Sequence, residues 1–258
     1  YFMGKRLGQH FLVNSSVAER IVTAARVQPD DVVLEIGPGK GVLTHLLAQK
    51  AKHVIAIEKD KNLVIYLKNR FEAVKNIEII EQDILKYSDV RHRYIIVANL
   101  PYYITSRFLR LFLEEMPNKP ISMTLMVQKE VAERICAKPP NMNLLALSVQ
   151  AFGKPKILFT VGKGNFSPPP EVESAVIQIS DISDNFFKKH RVTPKEFFIL
   201  PKKAFSQKRK MLRSSLQYAE VRLPQVYTEK RPQELGLEEW VKIAKEIPSR
   251  YNARGIHK

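Results

Sequence analysis

An α/β fold with a largely parallel sheet, followed by a small helical C-terminal domain, is what the sequence predicts, and three observations carry it. Strand-like and helix-like segments alternate from Asn14 to about Ser180, and βαβα order implies a parallel sheet with helices on both faces. The first strand runs directly into a glycine-rich turn that opens a helix, Val33-Leu34-Glu35-Ile36-Gly37-Pro38-Gly39-Lys40-Gly41. Beyond Asp184 the chain turns basic and helical, with no further strand-like run.

Each element has its own signal. Asn14-Ser15-Ser16 offers helix caps, and Val17, Ile21, Val22 and Ala25 follow at helical spacing. Residues 31–36 form a short buried-strand run ended by glycines, and residues 41–50 read as helical through Leu43, Leu46 and Leu47. A second strand spans 53–57 with a helix over 62–71, a third strand spans 77–80, and a fourth spans 94–98. A helix over 106–115 and a strand over 122–127 follow, and a last strand spans 172–179 after Pro168-Pro169-Pro170. The domains expected are 1–182, carrying the sheet, and 183–258, helical, with the boundary at Asp181–Asp184.

Composition narrows the function classes. The chain has 258 residues, 45% hydrophobic and 26% charged, which suits a globular fold and excludes disorder. A single cysteine, Cys136, rules out an intramolecular disulfide framework and is read as a buried or half-buried spectator on a helix. The six histidines form no metal-binding pattern, so no metal is expected. No apolar run approaches the roughly 18 residues of a membrane span, and residues 1–6 lack the apolar stretch of a signal peptide. A reducing, cytoplasmic compartment and no membrane partner are therefore expected. Lys plus Arg number 42 against 26 acids, a net charge of +16 that points to a polyanionic partner, nucleic acid foremost.

The strand ends carry the chemistry. In an open parallel sheet a ligand sits beyond the carboxyl ends of the strands. The dinucleotide fingerprint is G-x-G-x-x-G, but here the third glycine comes one place early, and Glu35 precedes the turn where a pyrophosphate would lie. That favours S-adenosylmethionine over NAD. Glu58 ends the second strand, where an acid can accept both hydroxyls of a ribose. Asp83 follows the third, placed to accept from an adenine amino group with Ile84 against the ring. A lone acid at any one of these places is more often a surface charge; three at successive strand ends are harder to dismiss.

Asn99-Leu100-Pro101-Tyr102 ends the fourth strand and is the most specific signal. It supplies an amide oxygen, a carbonyl before proline and an aromatic face. An exocyclic adenine NH2 is a poor nucleophile because its lone pair is delocalised into the ring. Two oxygen acceptors on its protons and a ring stacked on the base would favour a pyramidal, nucleophilic nitrogen without a strong general base. The bland alternative is a β-turn with proline after a strand.

With these residues in place the chain resembles the ribosomal RNA adenine-N6,N6-dimethyltransferases, which dimethylate two adjacent adenines near the 3′ end of small-subunit rRNA. The resemblance runs through Gly8-Gln9-His10-Phe11-Leu12, Glu35 to Gly41, Glu58, Asp83, Asn99 to Tyr102, the stretch Asn165-Phe166-Ser167-Pro168-Pro169-Pro170-Glu171-Val172-Glu173-Ser174-Ala175-Val176 and the run Ala204-Phe205-Ser206-Gln207-Lys208-Arg209-Lys210-Met211-Leu212-Arg213. It implies a Rossmann-like S-adenosylmethionine-dependent methyltransferase sheet, with cofactor contacts from His10, Leu12, Gly37, Glu58, Asp83 and Asn99. It implies that Asn99 and the Leu100 carbonyl, ahead of Pro101, hold the target amino group while Tyr102 and Phe166 sandwich the adenine. The implied partner is small-subunit rRNA in a pre-ribosomal particle, met by a monomer, and the implied role is in ribosome biogenesis. His10 stands where the family often has Asn, residues 141–145 depart from a common basic stretch, and Ser214 replaces a frequent Asn.

The basic run fits a nucleic-acid partner. Lys202, Lys203, Lys208, Arg209, Lys210 and Arg213, with Phe205 interleaved, are read as part of a helix that grips phosphates. A solvated helical face is the competing reading. Val192, Phe197, Phe198, Leu200, Trp240 and Ile243 read as core of the helical domain. Three other functions compete: a large-subunit adenine methylase of the antibiotic-resistance type, a non-catalytic RNA-binding assembly factor, and an NAD-dependent oxidoreductase. The last leaves Asn99–Tyr102 and the charge without a use.

Overall fold

Aliphatic runs too apolar to face water on either side must be covered on both, and that requirement organises this chain. The computed structural model describes residues 10–88, 93–217, 219, 221 and 223–246. Gly8 and Gln9 of the resemblance, the signal-peptide reading over 1–6, and His92 and His257 lie outside the described residues. The elements are β1 (Phe11–Leu12), α1 (Ser15–Ala25), β2 (Val32–Ile36), α2 (Val42–Ala48), β3 (His53–Glu58), α3 (Lys61–Arg70), β4 (Ile77–Glu81), β5 (Tyr94–Asn99), α4 (Thr105–Arg110) and β6 (Met123–Gln128). They continue with α5 (Lys129–Ile135), α6 (Leu144–Gln150), β7 (Lys154–Val161), β8 (Phe166–Ser167), β9 (Ser174–Ser180), α7 (Asn185–His190), α8 (Pro194–Phe205), α9 (Leu212–Ser215) and α10 (Leu237–Lys245).

The described residues divide into two compact units. The first comprises those up to Glu133 together with Gly153–Ile182. Its sheet has the order β4-β3-β2-β5-β6-β9-β7, seven strands among the described residues. Five are parallel; β9 pairs antiparallel with β6 and with β7. The expected strand over 172–179 is thus present as β9, while β7, an edge strand, was not expected. From β2 the chain builds outward through β3 and β4, then returns to place β5 and β6 on the other side. That reversal between β2 and β5 opens a crevice at their carboxyl ends, the usual ligand position in such sheets. The Asn14 side chain caps α1 by accepting from Ser16 and Val17 N–H, and its buried face carries Val17, Ala18, Ile21, Val22 and Ala25. These side chains pack with Val33, Leu43, Leu47 and Val97. Burial of each valine, isoleucine or leucine among them is worth about 1.5–3 kcal/mol.

The second unit comprises Arg134–Phe152 and the described residues from Ser183 onward. Residues 134–152, expected within the first domain, therefore belong here, and the reason is packing among distant parts of the chain. Met142 N–H donates to the Gln233 carbonyl at 2.9 Å, and Phe152 lies against Phe187 with centroids 4.9 Å apart. Gln150 closes the segment on itself by donating to the Ile135 and Ala137 carbonyls. Thr193 and Glu196 form a capping box on α8 with Pro194 at its first position. Phe197, Phe198, Leu200, Trp240 and Ile243 are buried as expected, and Val192 is half-buried. Cys136 stands in the turn after α5 rather than on a helix. No helix among the described residues is long and apolar enough to cross a membrane.

Candidate active site

The site grows from four strand ends. After β2 the chain must turn sharply under a cleft, and Gly37 and Gly39 adopt φ of +65° and +57°, which side chains disfavour. A Cβ on Gly39 would meet the Phe11 ring at 2.9 Å, so β1 lies directly against the turn. His10, Phe11, Gly37, Gly39, Glu58, Asn99, Leu100, Pro101 and Tyr102 line one cleft. Beside it, Gly37, Glu58, Lys59, Gln82, Asp83, Ile84, Pro101 and Tyr103 line a second, which shares Gly37, Glu58 and Pro101 with the first. Leu12 lies on a third, with Gly37, Gly39 and Asn99.

Glu58 ends β3 and is 6% exposed. Its Oε1 accepts from Lys59 N–H at 2.8 Å and Asp60 N–H at 3.0 Å, and its Oε2 from Gly39 N–H at 3.4 Å. Burial pushes its carboxyl above the usual range, and those backbone donors hold it back. A carboxylate fixed this way at a cleft wall suits a pair of vicinal hydroxyls. Asp83 is held differently. Its Oδ1 accepts from Leu85 N–H at 3.0 Å and its Oδ2 from the Lys59 ammonium at 2.9 Å, which lowers its pKa.

The turn after β5 is also fixed by its partners. Asn99 donates through Nδ2 to the His10 carbonyl at 3.4 Å, which leaves Oδ1 as its acceptor for a ligand. Leu100 N–H donates to the Met126 carbonyl at 3.1 Å, anchoring the turn to β6. The Tyr102 hydroxyl shares a hydrogen bond with Ser174 Oγ at 2.9 Å, and its ring stacks alongside His10 at 6.2 Å and 26°. The His10 ring contacts the Pro168 carbonyl through Nδ1 at 2.8 Å. Among the described residues no three of His, Cys, Asp and Glu are grouped to hold a metal ion.

A ribosomal RNA adenine dimethylase family model matches residues 3–248. The chain belongs to that family. Among the adenine dimethylase relatives, the ribosomal RNA small subunit methyltransferase A of Dehalococcoides mccartyi is 41% identical, over 94% of this chain and 87% of its own length. That of Alkaliphilus metalliredigens is 37% identical, over 95% and 92%. Of solved structures, a dimethyladenosine transferase from Plasmodium falciparum superposes with a TM-score of 0.80 at 27% identity, covering 95% of this chain and 98% of that one. The 23S rRNA methyltransferase ErmE shares the fold, with a TM-score of 0.74 at 22% identity over 92% and 99% of the two chains.

Of the residues that the adenine dimethylase resemblance implied, the fold brings His10, Gly37, Glu58, Asn99, Leu100, Pro101 and Tyr102 to one cleft, with Asp83 and Leu12 on the adjoining two. Phe166 is not brought there. It pairs with Leu12 across β1 and β8, is 3% exposed and packs in the core with Leu12, Val17 and Val161, so the structure does not present it as the second face of a base sandwich. Sequence reasoning gave no site role to Lys59, Phe11, Tyr103 or Ser174, although Phe11 and Ser174 lie in the stretches that carry the resemblance. Tyr103, 70% exposed, had a visible signal in its place beside Tyr102. The Lys59 bond to Asp83 and the Ser174 bond to Tyr102 join distant segments and had none.

The basic run is not one helix. α8 stops at Phe205, residues 206–210 form turns, and Lys208, Arg209 and Lys210 are exposed there, ahead of α9. Phe205 packs on Trp240 at 6.2 Å instead of facing a base. Asn143, in the stretch that departs from the family pattern, caps α6 through Ala146 N–H.

Proposed function

We propose that this chain is an S-adenosylmethionine-dependent rRNA adenine N6,N6-dimethyltransferase that acts on two adjacent adenines near the 3′ end of small-subunit rRNA during ribosome biogenesis. One observation carries the reading: a glycine turn, a ribose-type carboxylate and an Asn-Leu-Pro-Tyr turn line a single cleft. Family membership and the small-subunit names of its relatives support the substrate. The reading extends to a pre-ribosomal particle as the form of the RNA, and to a monomer in the cytoplasm.

The residues fit the cofactor: Gly37 and Gly39 would let it approach the backbone closely, Glu58 would take the ribose hydroxyls, and Asp83 with Ile84 would take the adenine. When bound, S-adenosylmethionine supplies an electrophilic methyl group. Asn99 Oδ1 and the Leu100 carbonyl would accept from the two N–H bonds of the target amine, and the Tyr102 ring would stack on the flipped base. Positive charge grows on that nitrogen during transfer, so oxygen dipoles aimed at it favour the transition state over the ground state. The nitrogen then sheds its proton readily, and the chemistry calls on neither a strong base nor a metal. Lys202, Lys203, Lys208, Arg209 and Lys210 would hold phosphates without reading sequence.

Transfer of labelled methyl groups to immature small subunits, followed by mapping of the modified bases, tests the reading. Label on two adjacent adenines near the 3′ end of the small-subunit RNA is expected. Label confined to large-subunit RNA, or none on RNA, would overturn it.

A further inference from the structure

Glu35 has no part in the function proposed above, yet among the described residues it is the one carboxyl with both oxygens buried and without a hydrogen bond. It lies in β2, 1% exposed, two residues before Gly37 of the cleft. Its in-register neighbours are Ala56 on β3 and Val97 on β5, which offer no donor from a side chain. α2 presents Thr44, whose buried hydroxyl and N–H face the carboxyl without closing a hydrogen bond to it. The charge that acts on Glu35 is another carboxylate, Glu58, at the end of β3. Lys40, the cation of the adjacent turn, is exposed and turned over the Phe11 ring at 5.5 Å.

An ionised carboxylate in such a place has lost water and gained little in return. Burial pushes the Glu35 carboxyl up to about 8; the Thr44 hydroxyl and N–H, which favour the ionised form, oppose the rise, and Glu58 adds to it. At neutral pH the group therefore holds its proton. Glu58, close enough to act on Glu35, lines the cleft where a cationic cofactor would sit. Positive charge arriving there has the opposite effect to that of Glu58 and favours ionisation.

We propose that Glu35 is a proton-linked positioning residue: neutral before the cofactor arrives, it releases its proton to solvent as a sulfonium-bearing cofactor binds. The O–H bond breaks, the proton goes to water or buffer, and no bond forms to the cofactor. Once methyl transfer leaves an uncharged thioether, Glu35 recovers a proton from solvent. Loading and unloading of the cleft thus carry a proton in opposite directions, and the site favours the charged cofactor over its neutral-sulfur product. The proposal rests on S-adenosylmethionine being the ligand.

Titration calorimetry of the full chain near pH 7, in buffers of different protonation enthalpy, counts the protons released per cofactor bound. With S-adenosylmethionine the native chain should release more than Glu35→Gln, by a sizeable fraction of a proton. With S-adenosylhomocysteine, whose sulfur is uncharged, native and variant should differ little. Subtracting the variant removes any contribution from the cofactor's own amine and from Glu58. Equal counts in native and Glu35→Gln would overturn the proposal while leaving the methyltransferase reading standing. Absence of binding by the native chain would overturn that reading, and the proposal with it. Infrared difference spectra of the native chain give a second measurement that needs no variant. A protonated carboxyl band should fall when S-adenosylmethionine binds and persist with S-adenosylhomocysteine, and a band unmoved by S-adenosylmethionine would overturn the proposal.

Discussion

The cleft at the strand ends and the basic turn after α8 use polar groups in opposite ways. In the cleft each group is tied: Glu58 by three backbone N–H groups, Asn99 by the His10 carbonyl, Tyr102 by Ser174. In the turn Lys208, Arg209 and Lys210 are exposed. Tied dipoles keep a direction and cost no reorganisation when charge develops, which suits them to chemistry. Exposed cations keep only their charge, which suits them to a polyanion whose backbone is everywhere alike. The cleft should therefore govern rate and cofactor affinity, and the turn should govern RNA affinity and its response to salt.

The largest effect that can break this division is expected from Asn99→Ala, which removes the proposed acceptor but leaves the glycine turn and the basic residues in place. Loss of one preorganised group typically costs about a hundredfold to a thousandfold in turnover. RNA affinity should be nearly kept, as a filter-binding titration would reveal. Next comes Glu58→Ala, expected to weaken S-adenosylmethionine binding by about 1–3 kcal/mol through ribose hydroxyls left unpaired. Calorimetry checks it, and unchanged affinity would remove Glu58 from the cofactor site.

Glu35 sharpens the same contrast from within the first unit, since it is buried like Glu58 but lacks the donors. With its carboxyl raised to about 8, the folded chain holds one more proton than the unfolded chain between about 4.5 and 8. Stability is then fully present below the unfolded value and falls as pH rises through the folded one, by up to about 1.4 kcal/mol per pH unit. Urea unfolding from pH 5 to 8 should show that decline, and Glu35→Gln should flatten it. The smallest effect is expected from replacing Lys208, Arg209 and Lys210 together with Ala. Each lost phosphate contact should lower the slope of log affinity against log salt by about 0.7–0.9. An unchanged slope in a folded variant would make the turn a solvated surface.

The part of this architecture visible in sequence is the part set by local pattern. Runs such as 94–98 are apolar at every position and can only be central strands, and the residues that follow them fall at the cleft by topology alone. What was not visible depends on distant partners. β7 mixes Lys154, Pro155 and Lys156 with apolar residues because it lies at an edge and is half-exposed, so its pattern reads as a loop. Phe166, a base-stacking residue by the resemblance alone, is buried among Leu12, Val17 and Val161, the first two from a distant segment. The charges of 206–210 continue those of α8, with neither Gly nor Pro to mark the helix end at Phe205. Residues 134–152 carry no sign of their partners, Phe187 and Gln233, which lie far along the chain.

The division between chemistry and grip is tested most directly by single-turnover methyl transfer at saturating RNA and cofactor, with Asn99→Ala and the triple Lys208, Arg209 and Lys210 variant measured side by side. A large fall in rate for Asn99→Ala and a near-native rate for the triple variant are expected. A near-native rate for Asn99→Ala would show that the Asn-Leu-Pro-Tyr turn is scaffolding and that the chemistry lies elsewhere.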